Sequence, residues 1–222
     1  MAWKRQPVRF RYGPHMNKSR LENLSDGLFA IVLTLVVFDV KIPDIETIKT
    51  SASLAHALLE LVPTLEEFFL SFVVLTIFWI GHNFMYSVFA KTINRVLIIL
   101  NLLYLALISL IPFSARVLDL YRDIPLAVVV YGVNIFLIGV LNIIIFNYAL
   151  SSDEIDTAEV SSRLIKQANI RQAVTPLFSL AGIAVAFFSI HLAYLMFALP
   201  IIFNIVPGSL NALERVFGFE LK

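Results

Sequence analysis

The chain has 222 residues, of which 59% are hydrophobic and only 15% charged, with a formal net charge of +1 and no cysteine. A water-soluble domain is about half apolar and about 25% charged, and it does not expose apolar surface on this scale. The composition therefore predicts an integral membrane protein. It excludes disulfides, zinc–thiolate sites and iron–sulfur clusters, and the small net charge gives no indication of nucleic acid binding.

Long runs without a charged residue predict six membrane-spanning helices. A spanning helix needs about 20 mostly apolar residues, and the uncharged runs 68–90, 96–115 and 124–150 are of this order. The run 172–213 is long enough for two helices with a turn at 189–191. We therefore predict an all-α polytopic membrane protein, a single domain over 1–222, with helices at 24–42, 67–90, 94–118, 124–150, 168–189 and 191–206.

The first predicted span is unusual because it carries a carboxylate near each end. Only twelve uncharged residues separate Asp26 from Asp39, and a helix of that length covers about 18 Å of a hydrocarbon core of about 30 Å. The helix can cross the membrane only if it extends over 24–42, where Pro43 ends it. Carboxylates within a span usually face protein or water, so we expect this helix at an interface rather than against lipid.

Basic residues are unevenly divided between the two sides of this topology. Thirteen Lys and Arg residues lie on the side of the two termini and four on the other side, which places both termini in the cytoplasm. A cleaved signal peptide is the alternative for the N-terminus, but no small-residue cleavage site follows Val40. The outer segment 41–67 is acidic, which is typical of a solvated loop with a short surface helix or of a surface that concentrates cations.

Catalytic and metal-binding motifs are missing from the sequence. It contains no His-Glu-x-x-His, no Gly-x-Ser-x-Gly and no glycine-rich phosphate loop, and its histidines lie in different segments. We therefore predict no enzyme, no cofactor and no metal site. The potassium-channel filter sequence Thr-Val-Gly-Tyr-Gly is also absent, so any ion selectivity would need another structure.

Polar residues gather at one predicted depth, at the start of the first span and near the end of the second. Ser25 or Asp26 could cap the first helix by accepting hydrogen bonds from its free N–H groups. Because polar side chains at this depth need partners, the alternatives are a single network or separate contacts with lipid headgroups and water. The members of such a network would be Arg20, Ser25, Asp26, Trp79, His82 and Asn83.

The segment Arg20-x-x-x-Leu24-Ser25-Asp26 resembles the first-helix signature of the transmembrane protein 175 potassium channels, Arg-x-x-x-Phe-Ser-Asp. Leu24 departs from that signature but keeps its size and apolarity. The stretches 27–35, 69–82 and 101–113 are also similar, so that the resemblance covers most of residues 18–206. It implies a single six-helix unit like the prokaryotic members, which assemble as homotetramers in the plasma membrane. The implied partners are further copies of the chain, membrane lipid, and potassium with related monovalent cations.

The resemblance also implies a role for the first helix, which lines the pore in that family. Ile31 would form a narrow apolar ring in place of backbone carbonyls, with Leu35 and Phe38 on the same helical stripe and Thr34 close by. Potassium would then pass near Ile31 and Thr34, and such a ring can gate by excluding water. From the residues alone, plain helix packing explains the same side chains, because every face of this helix is apolar.

A secondary transporter or a proton-conducting pathway is the competing function. Proton relays usually need carboxylates or histidines in the middle of the membrane. The middle of every predicted span lacks ionisable groups, and Asp26 and Asp39 lie near helix ends. The sequence therefore favours a channel.

Overall fold

The computed structural model of the protein describes residues 17–40, 48–157, 159, 161–206 and 208–209, and over these residues it is helical, as predicted. A single isolated bridge, between Ala90 and Thr157, is the one extended pairing in this part of the chain. The helices are α1 (Lys18–Leu35), α2 (Ser51–Glu60), α3 (Val62–Phe84), α4 (Arg95–Ser109), α5 (Ile111–Leu120), α6 (Pro125–Ser151), α7 (Ser162–Val185) and α8 (Ile190–Ile205); α1 continues into a 3-10 turn (Val36–Asp39) and α3 into a π-helical turn (Met85–Phe89).

Four helical stretches of the described chain are long and apolar enough to cross a membrane. They are Lys18–Phe38, Val62–Phe89, Arg95–Leu120 and Pro125–Ser151. α8 is apolar but has only 16 residues, and α7 has 24 residues but carries three basic side chains in its first half. The six predicted spans match α1, α3, α4 with α5, α6, α7 and α8 in position. Membrane crossing by α7 and α8 stays a prediction.

Two helices begin six residues earlier than predicted, because polar residues outside the apolar runs cap them. α1 begins at Lys18 rather than at 24, where the side chain of Asn17 accepts a backbone hydrogen bond from Ser19. α7 begins at Ser162 rather than at 168, with Ser161 as its N-cap. Hydropathy marks the part of a helix that lies in the membrane, whereas capping residues mark where its backbone hydrogen bonds begin.

Two helices begin with a proline in the first turn, at positions that the hydropathy pattern does not predict. α3 begins at Val62 rather than at 67, with Pro63 in its first turn. The predicted helix 94–118 is broken at Leu110 into α4 and α5, because Pro112 lacks the N–H group that a continuous helix needs and lies in the first turn of α5. The additional helix, α2, has no buried residue, as expected of a short surface helix in the acidic segment.

The remaining predicted boundaries agree closely with the structure. α6 and α8 start and end within one residue of 124–150 and 191–206. The turn predicted at 189–191 coincides with the N-cap of α8, Ser189, whose side chain accepts from the N–H of Leu192. The predicted end of the first helix at 42, Pro43, the N-terminal arm and most of the C-terminal tail lie outside the described residues.

α6 is the central helix of the bundle and packs against α4, α5, α7 and α8. Half of its spanning stretch is buried, compared with 28% for α1. Close approach to α7 depends on Gly139, where a Cβ atom would lie 2.8 Å from Cδ of Pro176. Small residues at helix crossings let backbones pack closely in a membrane, where the hydrophobic effect gives little drive for association.

Candidate functional site

α1 has one packed face and one open face. The packed face holds five fully buried side chains at the spacing of a single helical stripe: Leu21, Ser25, Phe29, Val32 and Val36. They contact α3, α4 and α5. The interior side of α1 is therefore fixed by packing within one chain, although the sequence is apolar on every side of the helix.

The open face of α1 carries the residues that the sequence predicts as pore-lining. Ile31 is 60% exposed, Leu35 43% and Phe38 75%. Thr34 lies beside them, and its hydroxyl donates to the backbone carbonyl of Ile31 at 2.7 Å. Leu24 continues this stripe two turns earlier and is also exposed. The structure thus places all four predicted pore residues together on a surface that nothing in the described chain covers.

A buried hydrogen-bond chain joins α1, α3 and α4. Asn101 on α4 donates to the hydroxyl oxygen of Ser25 at 3.2 Å, and its carbonyl oxygen lies 2.7 Å from Nε2 of His82 on α3. Because a carboxamide oxygen only accepts, Nε2 of His82 carries the proton. Ser25 in turn donates to the carbonyl of Leu21 at 2.9 Å. Ser25 is therefore inside the helix as a member of the network, and the N-cap is Asn17.

Aromatic rings enclose the imidazole of His82. Tyr104 stacks on it with a centroid distance of 5.5 Å and an interplanar angle of 18°. Tyr86 lies 4.6 Å away and Phe29 of α1 5.9 Å away. Burial among rings leaves the Asn101 amide as the polar contact of the imidazole within this part of the chain, so the orientation of His82 is fixed from several sides.

A second contact ties α1 to α3 at the protein surface. The indole Nε1 of Trp79 donates to a carboxylate oxygen of Asp26 at 2.9 Å. Asp26 is exposed, and it lies within α1 rather than at the helix start, so it does not cap the helix. The contact crosses from one helix to the other at the same depth as the Ser25–Asn101–His82 chain.

Two predicted members lie outside this network. Arg20 and Asn83 are both exposed, and no side-chain hydrogen bond from either one reaches the network among the described residues. Each is adjacent in sequence to a buried residue, Leu21 and His82 respectively. Because neighbours along a helix point about 100° apart, burial of one turns the other away. The polar network therefore consists of two neighbouring parts, the Ser25–Asn101–His82 chain and the Asp26–Trp79 pair, and Asn101 is a member that the sequence does not predict.

The sequence reasoning also missed a charged cluster at the other end of the bundle. Asp119 on α5 accepts from Arg116 at 2.7 Å, from Arg122 at 2.8 Å and from Thr64 on α3 at 2.8 Å. Arg122 also donates to the hydroxyl of Thr64 at 3.2 Å. These contacts fasten the start of α3 to the end of α5. Charged residues next to the apolar runs indicate that such a cluster can form at the helix ends, but which of these residues pair with one another depends on the fold.

Glu67, which the sequence places in the acidic outer segment, is not a solvated loop residue. It lies inside α3 and is only 7% exposed. The hydroxyl of Tyr194 on α8 donates to one of its carboxylate oxygens at 2.9 Å. Glu67 therefore holds α8 against α3, and its charge is not available at an entrance surface.

The described residues offer an apolar surface and neutral hydrogen bonds rather than a reactive centre. No group of three or more His, Asp or Glu side chains among them could hold a metal ion. The one histidine in the polar network contacts an amide and three rings, and no nucleophile lies beside it. The arrangement suits a helix that is fixed on one face and presents its other face to something outside the chain.

Comparison with known proteins shows that this chain is similar to a known family. The family model described as endosomal/lysosomal potassium channel TMEM175 matches residues 20–112, which include most of α1, the helices α2, α3 and α4, and the polar network. The match begins at Arg20, the first residue of the motif that carries the resemblance in the sequence.

Bacterial relatives extend the similarity. A protein of Chamaesiphon minutus named a potassium channel is 29% identical over 177 residues, which are 78% of this chain and 86% of that protein. A potassium channel of Streptomyces collinus is 36% identical over 107 residues, so the match spans only half of that relative and 48% of this chain. The human relative is named an endosomal/lysosomal proton channel; it is 24% identical over 183 residues, and the match covers 36% of its length.

A solved structure shares the fold. The crystal structure described as a lysosomal potassium-selective channel TMEM175 homolog from Chamaesiphon minutus superposes with a TM-score of 0.72. It is 25% identical, and the superposition covers 84% of this chain and 95% of that one.

Together these findings confirm the resemblance to the transmembrane protein 175 family that the first-helix motif carries. The chain is an integral membrane protein, since a channel family and apolar helices of spanning length agree. The relatives are named ion channels and not enzymes, which supports the prediction that this chain is not an enzyme.

Proposed function

From its similarity to the TMEM175 family, we propose that the chain is the subunit of a potassium-selective or weakly selective cation channel. The observation that carries the proposal is the open face of α1. One side of this helix is buried, while Ile31, Leu35 and Phe38 on the other side are not covered by any of the described residues. The bacterial relatives named potassium channels support a use of this surface in ion conduction.

The proposed assembly is a homotetramer with α1 of each subunit at the central axis. One exposed helical face cannot enclose a path for an ion, but symmetric copies of the same face around an axis can. Four copies give a closed ring and cover the stripe that runs from Leu24 to Phe38. The positive-inside rule puts both termini on the cytoplasmic side, and we propose the plasma membrane of a prokaryote as the location.

The proposed constriction is a ring of four Ile31 side chains. An apolar ring excludes water when narrow and passes a partly hydrated ion when wider. Potassium loses water more readily than sodium, so dehydration at this ring favours potassium. Thr34 supports this role because its hydroxyl proton is used by the carbonyl of Ile31 at 2.7 Å. The lone pairs of the hydroxyl oxygen are then available to a cation.

The proposed role of the polar network is to hold α1 in register with α3 and α4. Ser25 and Asp26 are consecutive residues that bond to two different partners, Asn101 and Trp79. Two anchors in different directions fix both the rotation and the depth of α1. The rotation decides which stripe faces the axis, so the network acts on the pore without touching the ion.

Ion flux from liposomes that contain the purified protein tests this function. We expect Ile31→Asn to change the potassium-to-sodium flux ratio, because a polar ring removes the dehydration barrier. The matched control is Leu103→Asn on α4, since Leu103 is also apolar and 53% exposed. Equal flux ratios in the wild type and Ile31→Asn, or equal changes in both variants, would contradict the assignment of Ile31.

Proton conduction is the second candidate, and the name of the human relative favours it. A pH gradient across the same liposomes, with potassium absent, separates the two functions. A potassium channel leaves the gradient intact over the time in which potassium flux is complete. Collapse of the gradient at a rate that Ile31→Asn changes and Leu103→Asn does not would identify α1 as a proton pathway instead.

A further inference from the structure

A groove with mixed apolar and polar walls lies between α3, α6, α7 and α8, away from the open face of α1. Its volume is about 490 Å³. Ile77, Ile80 and Phe84 of α3 form an apolar wall, and Ile205 lies at the end of α8. Its polar lining consists of Asn142, Arg171, Gln172, Thr175 and Asn204.

Arg171 is the one charged side chain in this groove. Its guanidinium donates to the backbone carbonyl of Asn204 at 3.3 Å and lies 5.9 Å from the centroid of the Phe203 ring. No carboxylate among the described residues pairs with it. A cation in a predicted membrane helix is costly without an anionic partner, so this position suits an anion that the described residues do not supply.

The next residue, Gln172, has a side-chain acceptor that lacks a hydrogen-bond donor among the described residues. Its side-chain oxygen Oε1 is buried and has no hydrogen-bond partner in the described chain. A buried acceptor without a donor costs free energy comparable to a lost hydrogen bond. The groove therefore needs both a negative charge for Arg171 and a hydroxyl or amide donor for Gln172.

The depth of the groove places these groups near one membrane surface. Arg171 lies nine residues after the start of α7, and Gly81 eight residues before the end of the π-helical turn, which is about 12–14 Å along either helix. The segment after the π-helical turn meets the loop that precedes α7, since the N–H of Lys91 donates to the carbonyl of Asp156 at 2.8 Å. The side chain of Arg171 extends further, to the last turn of α8, as a long basic side chain does near a membrane surface.

We propose that this groove binds an anionic phospholipid that has hydroxyl groups in its headgroup. The phosphate pairs with Arg171, and an acyl chain lies along Ile77, Ile80 and Phe84. Gln172 turns its buried Oε1 toward the groove, where a headgroup hydroxyl donates to it. Basic pockets between membrane helices on the cytoplasmic side are suited to acidic headgroups. On the predicted orientation this groove is on that side. The inference does not depend on what the α1 face conducts.

Native mass spectrometry of the full chain in detergent tests the proposal, with equal amounts of phosphatidylglycerol and phosphatidylcholine of the same acyl chains. We expect the wild type to retain phosphatidylglycerol preferentially. Arg171→Gln should lower that preference about fivefold, the effect of one basic residue near a membrane surface. The matched control is Arg95→Gln, because Arg95 is exposed at the start of α4 and does not line the groove.

Gly81→Leu tests the groove itself without touching a charge. A Cβ atom at Gly81 meets no other atom within 4 Å, so the leucine should enter open space and leave the fold intact. We expect it to reduce the binding of both lipids, because the side chain occupies the acyl-chain path.

Three results would overturn the proposal. Equal loss of preference in Arg171→Gln and Arg95→Gln would mean general surface attraction. Displacement of the lipid by millimolar glycerol 3-phosphate would mean that the apolar wall contributes nothing. A Gly81→Leu chain that dissociates from its oligomer and keeps its phosphatidylglycerol would mean that a second copy of the chain covers the groove.

Discussion

α6 and α1 are both apolar enough to cross a membrane, but they are held in the protein in opposite ways. α6 is half buried, packs against α4, α5, α7 and α8, and approaches α7 closely at Gly139. α1 is 28% buried, and its packed face includes the hydrogen-bonded Ser25. Close packing holds α6 within the chain, whereas a few directional bonds add to the packing of a single face of α1. The helix with fewer internal neighbours is the one that has a face left for partners.

The comparison predicts that overpacking at α6 has the largest effect on stability. In Gly139→Leu the new side chain would collide with Pro176, since even a Cβ atom would lie 2.8 Å from the ring. We expect a loss of about 1–3 kcal/mol in the free energy of unfolding, measured by thermal unfolding in detergent. Gly81→Ala is the control, because its Cβ meets nothing within 4 Å. Equal melting temperatures for the two variants would contradict this view of α6.

Breaking the buried network should have the next largest effect. Asn101→Leu leaves the Ser25 hydroxyl and the His82 ring without their shared partner, and an unsatisfied buried group costs about 1–3 kcal/mol. The effect should appear in unfolding and in the protection of α1 amides from hydrogen exchange. The control is Asn147→Leu, since Asn147 is exposed and bonds only to a carbonyl of its own helix. Loss of protection in α6 rather than in α1 would mean that the network does not hold α1.

The smallest effect is expected at the surface contact between α1 and α3. Trp79→Phe removes the indole N–H that reaches Asp26 at 2.9 Å and keeps an aromatic ring. Because this bond is exposed, we expect a loss of about 0.5–1.5 kcal/mol or less in stability. A double-mutant cycle with Asp26→Asn measures the coupling between the two side chains. A coupling energy as large as the effect of Asn101→Leu would contradict this ranking, because the Asp26–Trp79 contact would then hold α1 as strongly as Asn101 does.

Sequence patterns predict the fold well where hydropathy alone decides it. The long uncharged runs give α6 and α8 to within one residue, because both lie almost wholly within apolar segments. They miss the starts of α1 and α7, where Asn17 and Ser161 cap helices outside the apolar run. The break at Leu110 could be predicted from Pro112, because a proline within an apolar run indicates that a helix ends or begins there.

The site is predicted less completely, because its partners come from distant segments. Ser25, Asp26, Trp79 and His82 stand out as polar residues in apolar surroundings, and the structure brings them together in two adjacent contacts. Asn101 connects two of them across separations of 76 and 19 residues. Nothing local to Asn101 indicates which helices it joins. Arg20 and Asn83 are polar like the members of the network, but they lie on other faces of their helices. The sequence alone does not fix which face of each helix is buried.

The central claim is that the open face of α1 lines a pore, and cysteine accessibility tests it most directly. The chain contains no cysteine, so Ile31→Cys introduces a single thiol on this face. In planar bilayers, a charged methanethiosulfonate reagent should block the potassium current of Ile31→Cys and leave that of Leu103→Cys unchanged. Currents that stay unchanged in Ile31→Cys after complete labelling, verified by mass, would contradict the account.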